Sequence, residues 1–131
     1  MHKSKLVAFV IDCHVDDIGG AGEFWSKALG RPLGPVSPEY PKYRTLEVEK
    51  TQPMMLLQKV EHPSRVHLDI ESDDIEAEVK RLEALGAKRI EQVRTWWVME
   101  APTGHRFCVV RPQRGPLGDD ANTWSDRAES D

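Results

Sequence analysis

Residues 6–14, Leu-Val-Ala-Phe-Val-Ile-Asp-Cys-His, alternate weakly and are rich in Val, Ile and Phe, which suits a mostly buried β-strand. A helix is predicted from about Ile18 to Leu29, with Phe24, Trp25 and Ala28 on its apolar side. Gly19, Gly20 and Gly22 weaken its first turns by about 1 kcal/mol each relative to Ala, so that start is expected to fray or to bend as a loop. Gly30 stops the helix, and Pro32, Pro35, Pro38 and Pro41 mark an irregular excursion. Tyr43–Glu49 and Met54–Val60 read as two strands joined by Lys50-Thr51-Gln52-Pro53. The second half repeats this plan more cleanly. Arg65–Glu71 is a strand whose Val66, Leu68 and Ile70 are expected to face the core, with His67, Asp69 and Glu71 on the opposite face. Ser72 or Asp73 is predicted to cap a helix in which Ile75, Val79, Leu82 and Leu85 recur at helical spacing, and Gly86 ends it. Strands near Lys88–Val93, Trp96–Glu100 and Arg106–Arg111 follow, with Pro102-Thr103-Gly104 as a tight turn.

The two halves are related. Val10-Ile11-Asp12-Cys13-His14-Val15-Asp16-Asp17-Ile18 is echoed by His67-Leu68-Asp69-Ile70-Glu71-Ser72-Asp73-Asp74-Ile75, and the following helices close on Leu29-Gly30 and Leu85-Gly86. A repeat of roughly 55 residues, present twice, is too long and too few for a solenoid. It points to a pseudo-symmetric domain of two modules, about 5–60 and 65–112, with a natural site at the seam. From Gln113 onward Gly, Asp, Ser and Asn dominate, so 113–131 is predicted to be a flexible C-terminal tail, with Trp124 suited to anchor it.

Composition narrows the function classes. At 131 residues the chain fits one domain, and 39% hydrophobic with 31% charged residues is ordinary for a soluble globular protein. A net charge of -4 with scattered basic residues gives no electrostatic basis for binding nucleic acid or an anionic membrane. No apolar run reaches the length of a membrane span, and the expectation is a cytoplasmic protein. Cys13 and Cys108 lie in apolar strand patterns without metal-type spacing and read as reduced and buried.

Phe24-Trp25 followed by Ala28-Leu29-Gly30, the His67-Leu68-Asp69 strand, the helix end from Leu82 to Ala87, and Pro102-Thr103-Gly104-His105-Arg106-Phe107 together resemble the vicinal oxygen chelate superfamily. The similarity is to its glyoxalase-like, bleomycin-resistance-like branch, over about residues 5–112. The resemblance implies an α+β fold of two βαβββ modules whose curved mixed sheets enclose a shared cavity. It also implies a function among glyoxalases, extradiol dioxygenases, fosfomycin-modifying transferases, epimerases or metal-free drug-sequestering proteins, and it raises the expectation of a homodimer, with residues 31–41 near the contact. Metal-using members place a His on the first strand of each module and a Glu on the last. By that match His67 is the second-module histidine, Val10 stands where the first would be, and Gln58 and Cys108 stand about where the two glutamates would be. Such a set fits no common mononuclear site. No metal and no other cofactor is therefore expected; His67 would be the ligand of any divalent ion that did bind.

If the sheet curls around a cavity, His67 and Asp69 form an acid/base couple; otherwise His67 is a hydrogen-bonded surface histidine. Gln58 shares a strand face with Leu56 and Met54, a lone polar handle on an apolar wall, and an edge-strand Gln facing water is an equal reading. Trp96 and Trp97 point to opposite sides of their strand, so one packs on a helix and the other offers a flat wall. With Cys108 these complete the expected ligand-binding set. Asp16-Asp17 and Asp73-Asp74 are assigned to helix starts rather than to a metal site. The function expected first is capture of a small, partly apolar metabolite or drug; the alternative is a lyase, isomerase or dioxygenase-type enzyme acting on a small carbonyl or oxygenated metabolite through His67.

Overall fold

The computed structural model describes residues 1–125 and is α+β, with two helices and eight strands. In chain order these are β1 (His2–Cys13), α1 (Ile18–Leu29), β2 (Tyr43–Leu46), β3 (Met54–Lys59), β4 (Arg65–Ser72), α2 (Ile75–Ala84), β5 (Lys88–Val93), β6 (Trp96–Glu100), β7 (Arg106–Val110) and β8 (Asn122–Trp124). The strands form a mixed sheet in the order β2-β3-β1-β4-β7-β6-β5, with β8 pairing β1. Among the described residues no helix is long and apolar enough to cross a membrane. The chain divides into two compact units, residues 8–67 and residues 1–7 with 68 onward, so β1 and β4 each pass from one unit to the other.

In the unit of residues 8–67, β1 pairs β3 in parallel and β3 pairs β2 antiparallel. Ile11, Cys13, Leu46 and Leu57 form the buried cluster, against which Ile18, Ala21 and Trp25 of α1 pack. Leu46 and Leu57 are fully buried, each contributing about 1.5–3 kcal/mol of transfer free energy. The three glycines do not fray the helix. Asp17 caps it, its side chain accepting from the Gly19 amide at 2.9 Å, and Gly30 ends it in the left-handed region at φ 66°. Gly22 has a packing reason: a Cβ there would lie 2.9 Å from Leu33 Cδ1. The expected third strand after α1 is reduced to a single bridge, Leu33 to Leu46, flanked by amide bonds from Gly34 to the Thr45 carbonyl and from Glu47 to the Pro32 carbonyl. Pro32 and Pro35 have no amide donor to extend that ladder.

In the other unit, β4 pairs β7 in parallel, and β7, β6 and β5 follow antiparallel, with a bulge between Arg89 and Glu91. Val79 and Leu82 of α2 pack with Met99 and Val109. The helix cap is Asp74, one or two residues later than expected, its side chain accepting from Ala77 N at 3.0 Å. The expected facing of β4 is corrected as well. Of its three hydrophobic residues only Ile70 packs on the α2 cluster; Leu68 is exposed and Val66 is 58% exposed, while Glu71 on the supposed outer face is buried. Alternation fixes which residues share a face but not which face is covered.

The stretch after Gln113 contributes β8, whose His2↔Trp124 register seats the tail on β1. Trp124 Nε1 donates to Ser4 Oγ at 2.8 Å, and the Arg81 guanidinium lies 3.8 Å above its ring. Arg81 in turn binds the fully buried Glu78 through two bonds of 2.9 and 2.8 Å, and Glu78 also meets His2 Nε2 at 2.8 Å. Burial pushes the Glu78 carboxyl up, but the bonds from Arg81, His2 and Ser4 outweigh it and hold it below the ordinary glutamate range. The rest of the predicted tail, residues 126–131, lies outside the described residues.

Candidate functional site

The site is built on the face of residues 8–67 that points away from α1. Because Ile11 and Cys13 face the helix cluster, Ala8, Val10 and Asp12 point the other way. The registers place Met54 beside Ala8, Leu56 beside Val10 and Gln58 beside Asp12, and they bring Tyr43 opposite Gln58 and Thr45 opposite Leu56. Met54, Leu56 and Gln58 therefore share one wall, as the sequence pattern required.

Asp12 is the chemical centre of this wall. It is 2% exposed, and its Oδ2 lies 2.7 Å from Nδ1 of His67, whose side chain is 10% exposed. A carboxylate only accepts, so the ring proton sits on Nδ1 and neutral His67 carries its basic lone pair on Nε2. His62 Nε2 and Arg65 Nε approach the same oxygen at 3.9 and 3.8 Å, outside hydrogen-bonding reach. Asp12 Oδ1 is buried without a hydrogen-bond partner among the described residues. Burying a carboxylate is expensive unless it is paired, so the position demands His67. The neighbouring Cys13 thiol is pushed up by burial and by the Asp12 charge, which keeps it protonated and weakly nucleophilic.

The carboxylate hydrogen-bonded to His67 Nδ1 is thus Asp12, while Asp69, expected from the sequence as the acid/base partner, has a carboxylate oxygen within 4.8 Å of a His67 ring nitrogen. Asp69 lies two residues farther along β4, in register with Cys108 of β7. That pairing repeats the one between Asp12 and Gln58 at the equivalent positions of the first module. Trp97 packs on the α2 cluster, with Arg89 5.1 Å from its ring, so Trp96 is the tryptophan on the face shared with Cys108. His14 is exposed at the end of β1, and His105 is an exposed turn residue whose Nδ1 lies 2.7 Å from Thr103 Oγ1. Asp12, His62 and Arg65 were missed as site residues. One signal for Asp12 was available: a lone carboxylate in the buried phase of an otherwise apolar strand.

Among the described residues the ligand atoms of His67, Asp69 and Cys108 lie within 4.8 Å of one another, but the other positions matched to metal ligands are poor ones. Val10 has no lone pair and is buried beside Leu56, Gln58 offers a weak amide oxygen, and Nδ1 of His67 is engaged by Asp12.

The Glyoxalase-like domain family matches residues 8–110. No curated protein matches the sequence. Among solved structures, an NAD-dependent benzaldehyde dehydrogenase from Legionella pneumophila aligns at TM-score 0.60 and 14% identity, covering 80% of this chain and 99% of that one. A hypothetical protein from Bacillus halodurans C-125 aligns at 0.60 and 14%, covering 88% and 99%. Methylmalonyl-CoA epimerase from Mycobacterium tuberculosis aligns at 0.55 and 17%, covering 82% and 87%. At these identities the likeness is one of fold.

Proposed function

The chain belongs to the Glyoxalase-like domain family, and from that premise we propose that it binds a small, partly apolar, oxygenated molecule and moves a proton on it without a metal. The observation that carries this reading is the 2.7 Å bond between buried Asp12 and His67. A wall that only captured an apolar ligand would have no use for a desolvated carboxylate; a base at Nε2 of His67 does. Asp12 holds the ring in one tautomer and stabilises the imidazolium formed when His67 takes a proton, such as one next to a carbonyl. Leu56 and Met54 supply apolar contact, and Gln58 supplies an amide to orient an oxygen. General acid/base help of this kind contributes about 10²–10⁴-fold in rate.

Capture without reaction is the second reading, favoured by Met54 and Leu56 standing on one wall. The two separate on one experiment. Chelator-treated protein is incubated in D₂O with hydroxyacetone and with phenylacetaldehyde, and loss of the proton next to the carbonyl is followed by NMR. The proposal expects exchange above background that falls at least 100-fold in His67→Ala; binding without exchange supports capture. Pairing of two chains belongs to the same proposal, supported by exposed Phe24, Val36 and Tyr40 in and near the Pro-rich stretch. A light-scattering mass of one chain at micromolar concentration would remove it. A cytoplasmic setting is likewise proposed, in keeping with two buried cysteines that are not joined in a disulfide.

A further inference from the structure

Three basic side chains are gathered around one carboxylate. Asp12 Oδ2 has His67 at 2.7 Å, Arg65 at 3.8 Å and His62 at 3.9 Å. Asp12 supplies a single negative charge, and among the described residues His67 holds the only hydrogen bond to its carboxylate. Arg65 is therefore electrostatically near Asp12 without being satisfied by it. Its side chain is 44% exposed, and its guanidinium makes no hydrogen bond to another described residue. By contrast, Arg44 donates to the Gly34 carbonyl, Arg81 to Glu78, and Arg89 to Glu76 and Glu83.

Arg65 and His67 are two residues apart on β4 and so share a face. His62, 37% exposed, has Nδ1 2.8 Å from the Pro63 carbonyl, which leaves Nε2 as the nitrogen turned toward Asp12. Gln58, the neighbour of Asp12 across the strands, adds an amide donor. An always-charged planar fork with open donors, a proton-transferring imidazole beside it and an apolar wall leading away match one kind of molecule. A carboxylate takes both edges of the fork, and its hydrocarbon part lies along Leu56 and Met54.

We propose that Arg65, assisted by His62, is a carboxylate-binding subsite, and that the substrate is a small monocarboxylic acid with an apolar body. This rests on the proposed proton-transfer site, because it sets the reacting carbon against His67. Arg65 is on this account a positioning residue for the reaction and a determinant of specificity.

The test uses matched acids and neutral amides on the full chain: 3-phenylpropionate against 3-phenylpropionamide, and octanoate against octanamide. Calorimetric titration at pH 7 should find each acid bound at least tenfold more tightly than its amide. Arg65→Gln should erase that preference while leaving amide affinity within twofold, and Arg65→Lys should retain only part of it, since an ammonium keeps the charge but not the fork. The proposal is overturned if no acid binds better than its amide, including if none binds at all, or if Arg65→Gln keeps the preference. His67→Ala separates the two ideas. Loss of deuterium exchange in His67→Ala with an unaltered acid preference in Arg65→Gln leaves the base standing and removes the subsite. An acid preference that Arg65→Gln abolishes, without any exchange by the unaltered protein, keeps the subsite and removes the base.

Discussion

Removing either partner of the Asp12–His67 pair should have unequal consequences, and removing both should be milder than removing the histidine alone. In His67→Ala the Asp12 carboxylate stays buried at 2% exposure without its hydrogen bond. An uncompensated buried charge costs about 3–5 kcal/mol. Arg65 and His62, at 3.8 and 3.9 Å, offset part of this, which brings the expected loss to roughly 2–3 kcal/mol. In Asp12→Ala the charge-assisted bond, worth about 1.5–3 kcal/mol, is lost. The same change removes Oδ1, a buried oxygen with no partner among the described residues, whose desolvation costs about 1–3 kcal/mol, so the net effect should lie within about 1 kcal/mol of zero. The double variant has no stranded charge and should be at least about 1 kcal/mol more stable than His67→Ala. Urea unfolding with an unchanged slope measures all three, and thermal midpoints should follow at roughly 3–5 °C per kcal/mol. If the double variant is less stable than His67→Ala, or if the two losses simply add, the pair is not the coupled unit described.

Two further outcomes follow from the unit that carries α2. The Glu78 carboxyl is held below its ordinary value of 4.5, so its contribution to stability is full above that pH and is lost as pH falls through the lowered folded value; Glu78→Gln should flatten that acid decline in pH-dependent urea midpoints, and an unchanged decline would refute the assignment. Trp124→Ala removes the bond to Ser4 and the Arg81 contact, and should cost about 1–2 kcal/mol while raising amide exchange at Asn122–Trp124 and at His2–Ser4; unaltered protection there would mean that the strand does not depend on its tryptophan.

The repeat, both helices and the shared wall of Met54, Leu56 and Gln58 were legible because period and spacing encode them. The inward face of β4 was not. Val66 and Leu68 have the chemistry of core residues, yet they are exposed while Glu71 is buried and His67 largely covered, and what covers a face depends on elements distant in sequence. Asp12 was overlooked for a related reason. Its partner lies 55 residues away, and a hydrogen bond over that separation leaves no local pattern. The bridge at Leu33 was obscured by prolines that punctuate the chain without stating what lies between them, and β8 by a composition that reads as tail. Trp124 was the single residue there that pointed to an anchor.

The central claim, proton transfer by His67 without a metal, is tested most directly by measuring metal content and deuterium exchange on the same sample. Protein treated with chelator and freed of Zn, Ni, Fe and Mn by elemental analysis should exchange the proton next to the hydroxyacetone carbonyl as fast as untreated protein. His67→Ala should lose at least 100-fold, with no recovery when any of these ions is added back. An exchange rate that instead rises and falls with the metal content of the sample would contradict the account.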